Sequence, residues 1–319
     1  MARSQKSGCG IRAALLFTHL NYTDHVKVLV TGANGLLGRE LCKVLSQDHD
    51  VVGLVNSIVE NPISRVDYIV MDLSKSLDIA ALPTRIDIVF HLAQSSHFRD
   101  FPGGTKDTFQ INTSCTLDLL EYCRIANGRR FFLASTGGVY GGQSGPIPEA
   151  GLLIPPSEIG FYFASKLAAE MFSSTYRQVF DVTVLRFFFM YGPLQKPDMF
   201  LPRLVHSVIG GREITINENS GIRVNPILVD DVANVLLSFL DKELPPVINI
   251  GGPNVVSIQE IALQIGELTS RTPQFVKQNN AFADVIADIG IMSQLIDVNG
   301  LTPFNQGLEL LVHSMHQID

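Results

Sequence analysis

Short apolar runs alternate with longer stretches of helical periodicity along most of this chain. Lys27 to Val30, Asp50 to Val55, Val66 to Met71, Asp87 to Leu92, Arg130 to Ser135 and Val182 to Arg186 carry few polar positions, and helical or turn segments separate them. Runs of this length that do not alternate apolar with polar read as strands buried on both faces, which calls for a parallel sheet between two layers of helices. The pattern therefore predicts an α/β, doubly wound fold. One helix is expected after the first strand, with apolar Leu37, Leu41, Val44 and Leu45, and amphipathic helices over Thr108 to Ile125 and Tyr162 to Phe180. Further on, Met199 to Gly211, Asp230 to Lys242 and Ser257 to Thr269 read as helices, the last with Ser257 as N-cap and Glu260 at the capping-box position. Val247 to Gly252 reads as a strand with a glycine turn.

Two clusters carry chemistry on this frame. Thr31-Gly32-Ala33-Asn34-Gly35-Leu36-Leu37-Gly38 joins the first strand to the first helix. Gly32 permits the tight turn, Gly35 lets a pyrophosphate approach the backbone, and Gly38 lets the helix pack on the strand. The helix N-terminus then offers unpaired N–H groups and partial positive charge to phosphate. Downstream, Tyr162 and Lys166 are four residues apart and so share one helical face. A cation about 4 Å from a phenol at an effective dielectric of ~20 is worth on the order of 4 kcal/mol, or roughly three pKa units. That spacing makes Tyr162 a candidate acid or base at neutral pH. Asp72, His91, Ala93, Gln94, Ser135 and Thr136 fall at the carboxyl ends of strands, where such sheets collect ligands.

With these motifs the chain resembles an extended short-chain dehydrogenase/reductase of the nucleotide-sugar epimerase/dehydratase family, from about Val26 to the C-terminus. The resemblance implies a Rossmann-type domain over 26–186 with return elements near 226–252, and a mainly substrate-binding α/β lobe over 187–319. It implies an NAD or NADP site built from Gly32, Asn34, Gly35, Leu36, Leu37, Asn56, Asp72, Leu73, Leu92, Ala93, Gln94 and Asn112, with Tyr162 and Lys166 closing it. Thr136, in Ser135-Thr136-Gly137-Gly138-Val139-Tyr140-Gly141, takes the place of the family's catalytic hydroxyl. Tyr162 would exchange a proton with a sugar oxygen, Thr136 would hydrogen-bond that oxygen, and Lys166 would hold the ribose and lower the tyrosine pKa. Ser95, Thr136, Phe189 and Arg223 are expected on the substrate, with Arg223 in the place of an arginine that grips the nucleotide's phosphates. Asn112 reads equally as a helix-backbone partner, and His91 reads as a buried polar residue beside the cofactor loop.

Departures from the family pattern narrow the reaction. Dehydrating and decarboxylating members carry an acid directly after the catalytic hydroxyl, whereas this chain has Gly137-Gly138. Epimerisation or ketone reduction remains. The second strand ends Leu54-Val55-Asn56-Ser57, without the acidic residue that marks NAD preference. NADP is therefore permitted, which tilts the reading towards a 4-keto reductase over a 4-epimerase with tightly bound NAD. A cofactor-binding sensor or scaffold without catalysis is a third reading, and the trio of Thr136, Tyr162 and Lys166 speaks against it. Phe189 stands where many nucleotide-sugar enzymes place an asparagine, which leaves room for another polar carbonyl substrate.

Composition excludes more than it assigns. A formal net charge of -7 with no basic run argues against a nucleic-acid partner. The 8 histidines show no metal-ligand spacing with the 4 cysteines, so no metal is expected. Cys9, Cys42, Cys115 and Cys123 form no close pair and read as reduced thiols of a cytoplasmic protein. The apolar run Ala13 to Phe17 is too short for a secretory core or a membrane span, so residues 1–25 read as an extension. By resemblance, the helices over Thr108 to Ile125 and Tyr162 to Phe180 imply a homodimer.

Overall fold

The computed structural model describes residues 25–217, 220–278 and 283–316. Of the expected extension over 1–25, all but His25 lies outside the described residues, as does Cys9. Seven strands form the central sheet: β1 (Lys27–Thr31), β2 (Asp50–Val55), β3 (Val66–Val70), β4 (Ile88–His91), β5 (Arg130–Thr136), β6 (Asp181–Phe187) and β7 (Val247–Ile250). Their order across the sheet is β7-β6-β5-β4-β1-β2-β3, and every neighbouring pair is parallel. The order reverses between β1 and β4, where a doubly wound sheet opens a crevice at its carboxyl edge.

Alternation along each strand divides the core into two layers. Val28, Val30, Ile88 and Phe90 face one layer with Leu41 and Leu45 of helix α1 (Leu36–Leu45). Leu29, Val89, Phe131 and Leu133 face the other, with Leu119 and Leu120 of helix α2 (Cys115–Ile125) and Ala169 of helix α3 (Phe161–Thr175). This two-sided burial is why the strand sequences lack polar alternation.

Helix α4 (Phe200–Ile209), α5 (Val229–Ser238), α6 (Ile258–Thr269) and α7 (Phe304–His316) follow. Val232 and Leu236 of α5 return to the sheet core beside α1, while α4, α6 and α7 enclose a third cluster with Val205, Ile261 and Leu308 at its centre. Ser257 caps α6 in a full capping box with Glu260. One expected helix differs in its interior. The segment from Thr105 runs as helix to Phe109, makes a π-helical turn over Gln110–Ser114, and resumes as α2. A π turn admits one extra residue, shifts the register of everything after it, and clusters at functional sites. Its occupants include Asn112, next to the crevice.

Candidate active site

The nucleotide loop is closed by sterics that only glycine meets. Gly32 has φ +66°, and a Cβ placed there would lie 3.0 Å from the Ala93 backbone. A Cβ on Gly38 would lie 2.1 Å from the Gly32 carbonyl oxygen, so α1 rests directly on the turn. Gly35 is the N-cap of α1, with no side-chain cap and no acid in the first turn. The first N–H groups of the helix are thus left for an anion. Asn34 is exposed, Leu36 half-buried and Leu37 buried at this turn. A dinucleotide fits the cradle.

Strand ends complete the crevice. The Thr31 hydroxyl accepts from the Leu92 and Ala93 N–H groups at 3.1 and 3.0 Å, which leaves its own proton for His91 Nδ1 at 2.8 Å. His91 is buried, and desolvation pushes its imidazole down to about 3, with the Lys166 charge acting in the same direction and a hydrogen bond to the Ile111 carbonyl opposing. His91 is therefore a neutral strut between β1, β4 and the π turn, in a fixed tautomer. Asn56 is exposed just past β2. Asp72, past β3, accepts from the Ser74 hydroxyl and N–H at 2.7 and 3.0 Å, and these bonds hold its carboxyl below the usual range. Leu73 is buried beside it.

At the end of β5 the expected trio assembles, although not with the expected electrostatics. Thr136 Oγ1 accepts from the Gly138 N–H at 3.1 Å and also hydrogen-bonds Tyr162. The Tyr162 phenol donates to Gln94 Oε1 at 2.9 Å. Burial raises the Tyr162 pKa; the hydrogen bond with Thr136, the charge of Arg99 and the hydrogen bond with Gln94 pull the other way. Lys166 is not among these influences. It lies one turn on, 3% exposed, with Nζ donating to the Ala134 carbonyl at 3.0 Å. Burial pushes this ammonium down to about 8 against the opposing charge of Glu170. In this structure the charge that lowers the Tyr162 pKa is that of Arg99.

Behind the trio lies a polar network that sequence reasoning missed. Arg186 on β6 forks onto Glu170 of α3, with Nη2 at 2.6 Å from Oε2 and Nε at 3.1 Å from Oε1, and both side chains are buried. Ser135 donates to the same carboxylate, and Arg186 also donates to the Tyr140 phenol at 2.6 Å. Carboxylate and guanidinium together pin α3 to β5 and β6. Asn112 joins from the other side, with Nδ2 donating to Ser165 Oγ at 3.1 Å, while its buried Oδ1 lacks a partner. The one signal available was Glu170 itself, a carboxylate one turn after Lys166 on an inward helix face.

The substrate side departs further from expectation. Buried Ser95 accepts from the His97 N–H at 3.1 Å. Phe189 has φ +45° and packs edge-on against Phe200 at 5.4 Å between centroids. Left-handed backbone is the conformation asparagine tolerates and a bulky side chain resists, so Phe189 carries local strain. Arg223 is paired in this structure. Its Nη2 and Nε donate to the same oxygen, Asp284 Oδ2, at 2.6 and 3.0 Å, and its side chain is largely exposed. Its partner is 61 residues away in sequence, and the β-bridge between Val224 and Val285 brings the two segments together. Arg99 lies 4.8 Å over the Phe98 ring and pairs with Asp198 at 3.1 Å, joining the loop after β4 to the start of α4. Among the described residues no cluster of His, Cys, Asp or Glu could hold a metal ion.

Residues 28–251 match the model of the NAD dependent epimerase/dehydratase family. The chain belongs to that family. A Bacillus subtilis (strain 168) protein named an uncharacterized UDP-glucose epimerase is 30% identical over 311 residues, 89% of this chain and 96% of its own. A UDP-glucuronate 4-epimerase of Thermodesulfobacterium geofontis (strain OPF15) is 28% identical over 307 residues, 89% of this chain and 94% of its own. Among solved structures, UDP-glucuronic acid 4-epimerase from Bacillus cereus in complex with UDP-glucuronic acid and NAD superposes with a TM-score of 0.79 at 27% identity, covering 92% of this chain and 100% of that one. The chain is an enzyme of this NAD-dependent family, whose members act on nucleotide sugars.

Proposed function

We propose that this enzyme is a 4-epimerase of a nucleotide-linked hexose that keeps NAD bound through the cycle. The observation that carries the choice of reaction lies beside Thr136. A Cβ on Gly137 would lie 2.4 Å from the buried ring of Phe188, and one on Gly138 would lie 2.2 Å from Phe163. Packing thus leaves no room for the acid that elimination of water requires next to the catalytic hydroxyl. The curated relatives reported above are named epimerases, which favours epimerisation over the reductase that the missing acid after β2 suggested.

Bound NAD supplies reversible two-electron chemistry at a carbon bearing a hydroxyl. The glycine loop and the open N-terminus of α1 would hold its pyrophosphate, and Asp72, Leu73, Leu92, Ala93 and Asn112 would line its remainder. Tyr162 takes the proton from the sugar's 4-hydroxyl and later returns it to the same oxygen. Thr136 and Gln94 hold that oxygen and the phenol in line, and Lys166 supplies an ammonium on the ribose side. We take 26–186, with β7 and α5, as the NAD-binding unit and 187–319 as mainly the substrate lobe. Buried Cys42, Cys115 and Cys123, with thiols pushed up to about 12 by burial, suit a reducing cytoplasm. Exposed apolar residues on α2 and α3 suit a homodimer.

The test is to denature the purified protein and identify the nucleotide it releases. Stoichiometric NAD supports the epimerase; an empty protein that prefers NADPH restores the reductase. Tyr162→Phe should lower turnover roughly 10²- to 10⁴-fold with NAD content unchanged. Unaltered turnover in that variant sinks the catalytic assignment.

A further inference from the structure

A sugar whose C4 oxygen lies against Thr136 and Tyr162 must carry its C5 substituent in the same shell of side chains, because C5 is bonded to C4. Any charge on that substituent needs a partner there. Lys166, Arg186 and Arg99 stand around this shell, and each is committed elsewhere. Lys166 donates to the Ala134 carbonyl at 3.0 Å, and Arg186 is forked onto buried Glu170. Arg99 is balanced by Asp198 at 3.1 Å.

The rest of the wall is neutral and largely apolar. A hydroxyl-bearing residue at 137 or 138, the simplest partner for a carboxylate, would drive its Cβ into the ring of Phe188 or Phe163. Phe189 packs against Phe200. A cavity of about 170 Å³ beside Tyr162 is lined by Phe98, Phe101, Phe161 and Phe163, together with Thr105, Thr108 and the His97–Asp100 pair at 2.9 Å. A carboxylate in this setting gives up its hydration to side chains whose charges are already paired or hydrogen-bonded, whereas a hydroxymethyl or methyl group gives up little.

Resting on the epimerase reading, we infer that the substrate is a nucleotide-linked hexose or deoxyhexose with an uncharged C5 substituent, and that the enzyme rejects the corresponding uronic acid. This separates the chain from relatives named for glucuronate, whose overall fold it shares. Asp198 enters as the residue that engages Arg99 and keeps its guanidinium from pairing with a carboxylate on C5.

The experiment compares glucose and glucuronic acid, each linked to UDP and to dTDP, as substrates of the full-length enzyme with its bound cofactor. The expected result is a kcat/KM for the better glucose nucleotide at least about a hundredfold above its uronate counterpart. Asp198 is exposed, so Asp198→Asn should fold normally. In freeing Arg99 it should raise uronate kcat/KM about tenfold and change the glucose value by less than about threefold. Uronate turnover within about tenfold of glucose turnover overturns the inference and leaves the epimerase standing. An unchanged uronate rate in Asp198→Asn overturns the role given to Asp198. Failure of all four sugars to bind or react removes the epimerase reading, and the inference falls with it.

Discussion

At the level of single residues, chemistry near Thr136 is governed by who neutralises whom. Lys166 illustrates this because its position costs stability. Its ammonium is 3% exposed and its pKa falls from 10.5 to about 8 by burial. A lysine with a folded pKa below its unfolded value binds fewer protons when folded, so stability rises with pH between about 8 and 10.5. Below that window the buried charge costs roughly 3 kcal/mol, against about 1 kcal/mol regained from the bond to the Ala134 carbonyl. Lys166→Met should therefore melt no lower than the parent at pH 7, and its margin should shrink by about 2 kcal/mol on going to pH 9.5, while turnover collapses. Thermal melts of both proteins across that range check it; a margin that grows with pH would contradict the burial argument. That Thr136, Tyr162 and Gln94 come together was legible from their places at strand ends and on the following helix. How they are tuned was not, because Arg99, Glu170 and Asp284 act on partners 16 to 99 residues away, and spacing along one helix reveals none of those pairings.

Elements were far more legible than the partnerships between them. Each of the seven central strands arose where an apolar run was bounded by turn residues, and the capping box at Ser257 and Glu260 formed as its spacing implied. The π turn over Gln110–Ser114 escaped notice because inserting a residue shifts helical phase without changing composition. It feeds the site directly, as the Ile111 carbonyl holds His91 and Asn112 reaches Ser165. The β1–α1 unit offers the sharpest test at this scale. Because a Cβ at position 38 would lie 2.1 Å from the Gly32 oxygen, Gly38→Ala must lift α1 off the turn that is to hold pyrophosphate. NAD affinity should fall at least about a hundredfold by titration, with circular dichroism retained. Near-parental affinity would mean that the loop does not bind the pyrophosphate.

For the molecule as a whole, α3 serves two purposes at once. Its inner face carries Tyr162, Lys166 and Glu170, and its outer face leaves Met171 70% and Phe172 44% exposed. Leu117 and Ile125 on the adjoining α2 are likewise exposed at 41% and 56%. No helix among the described residues is long and apolar enough to cross a membrane, so a lipid-spanning role does not account for this surface. Apolar side chains grouped on two neighbouring helices suit a surface that another protein covers, and in the proposed homodimer a second copy of the same chain would cover it with two-fold symmetry. Pairing through α2 and α3 would brace from outside the helix that positions Tyr162 from within. Met171→Glu with Phe172→Glu should convert a dimer into a monomer by sedimentation, lower the melting temperature and reduce kcat several-fold while bound NAD persists. Both substitutions point away from the crevice, so a lost dimer with parental kcat would separate assembly from catalysis. A parent protein that already sediments as a monomer at micromolar concentration would show that this face serves some other partner.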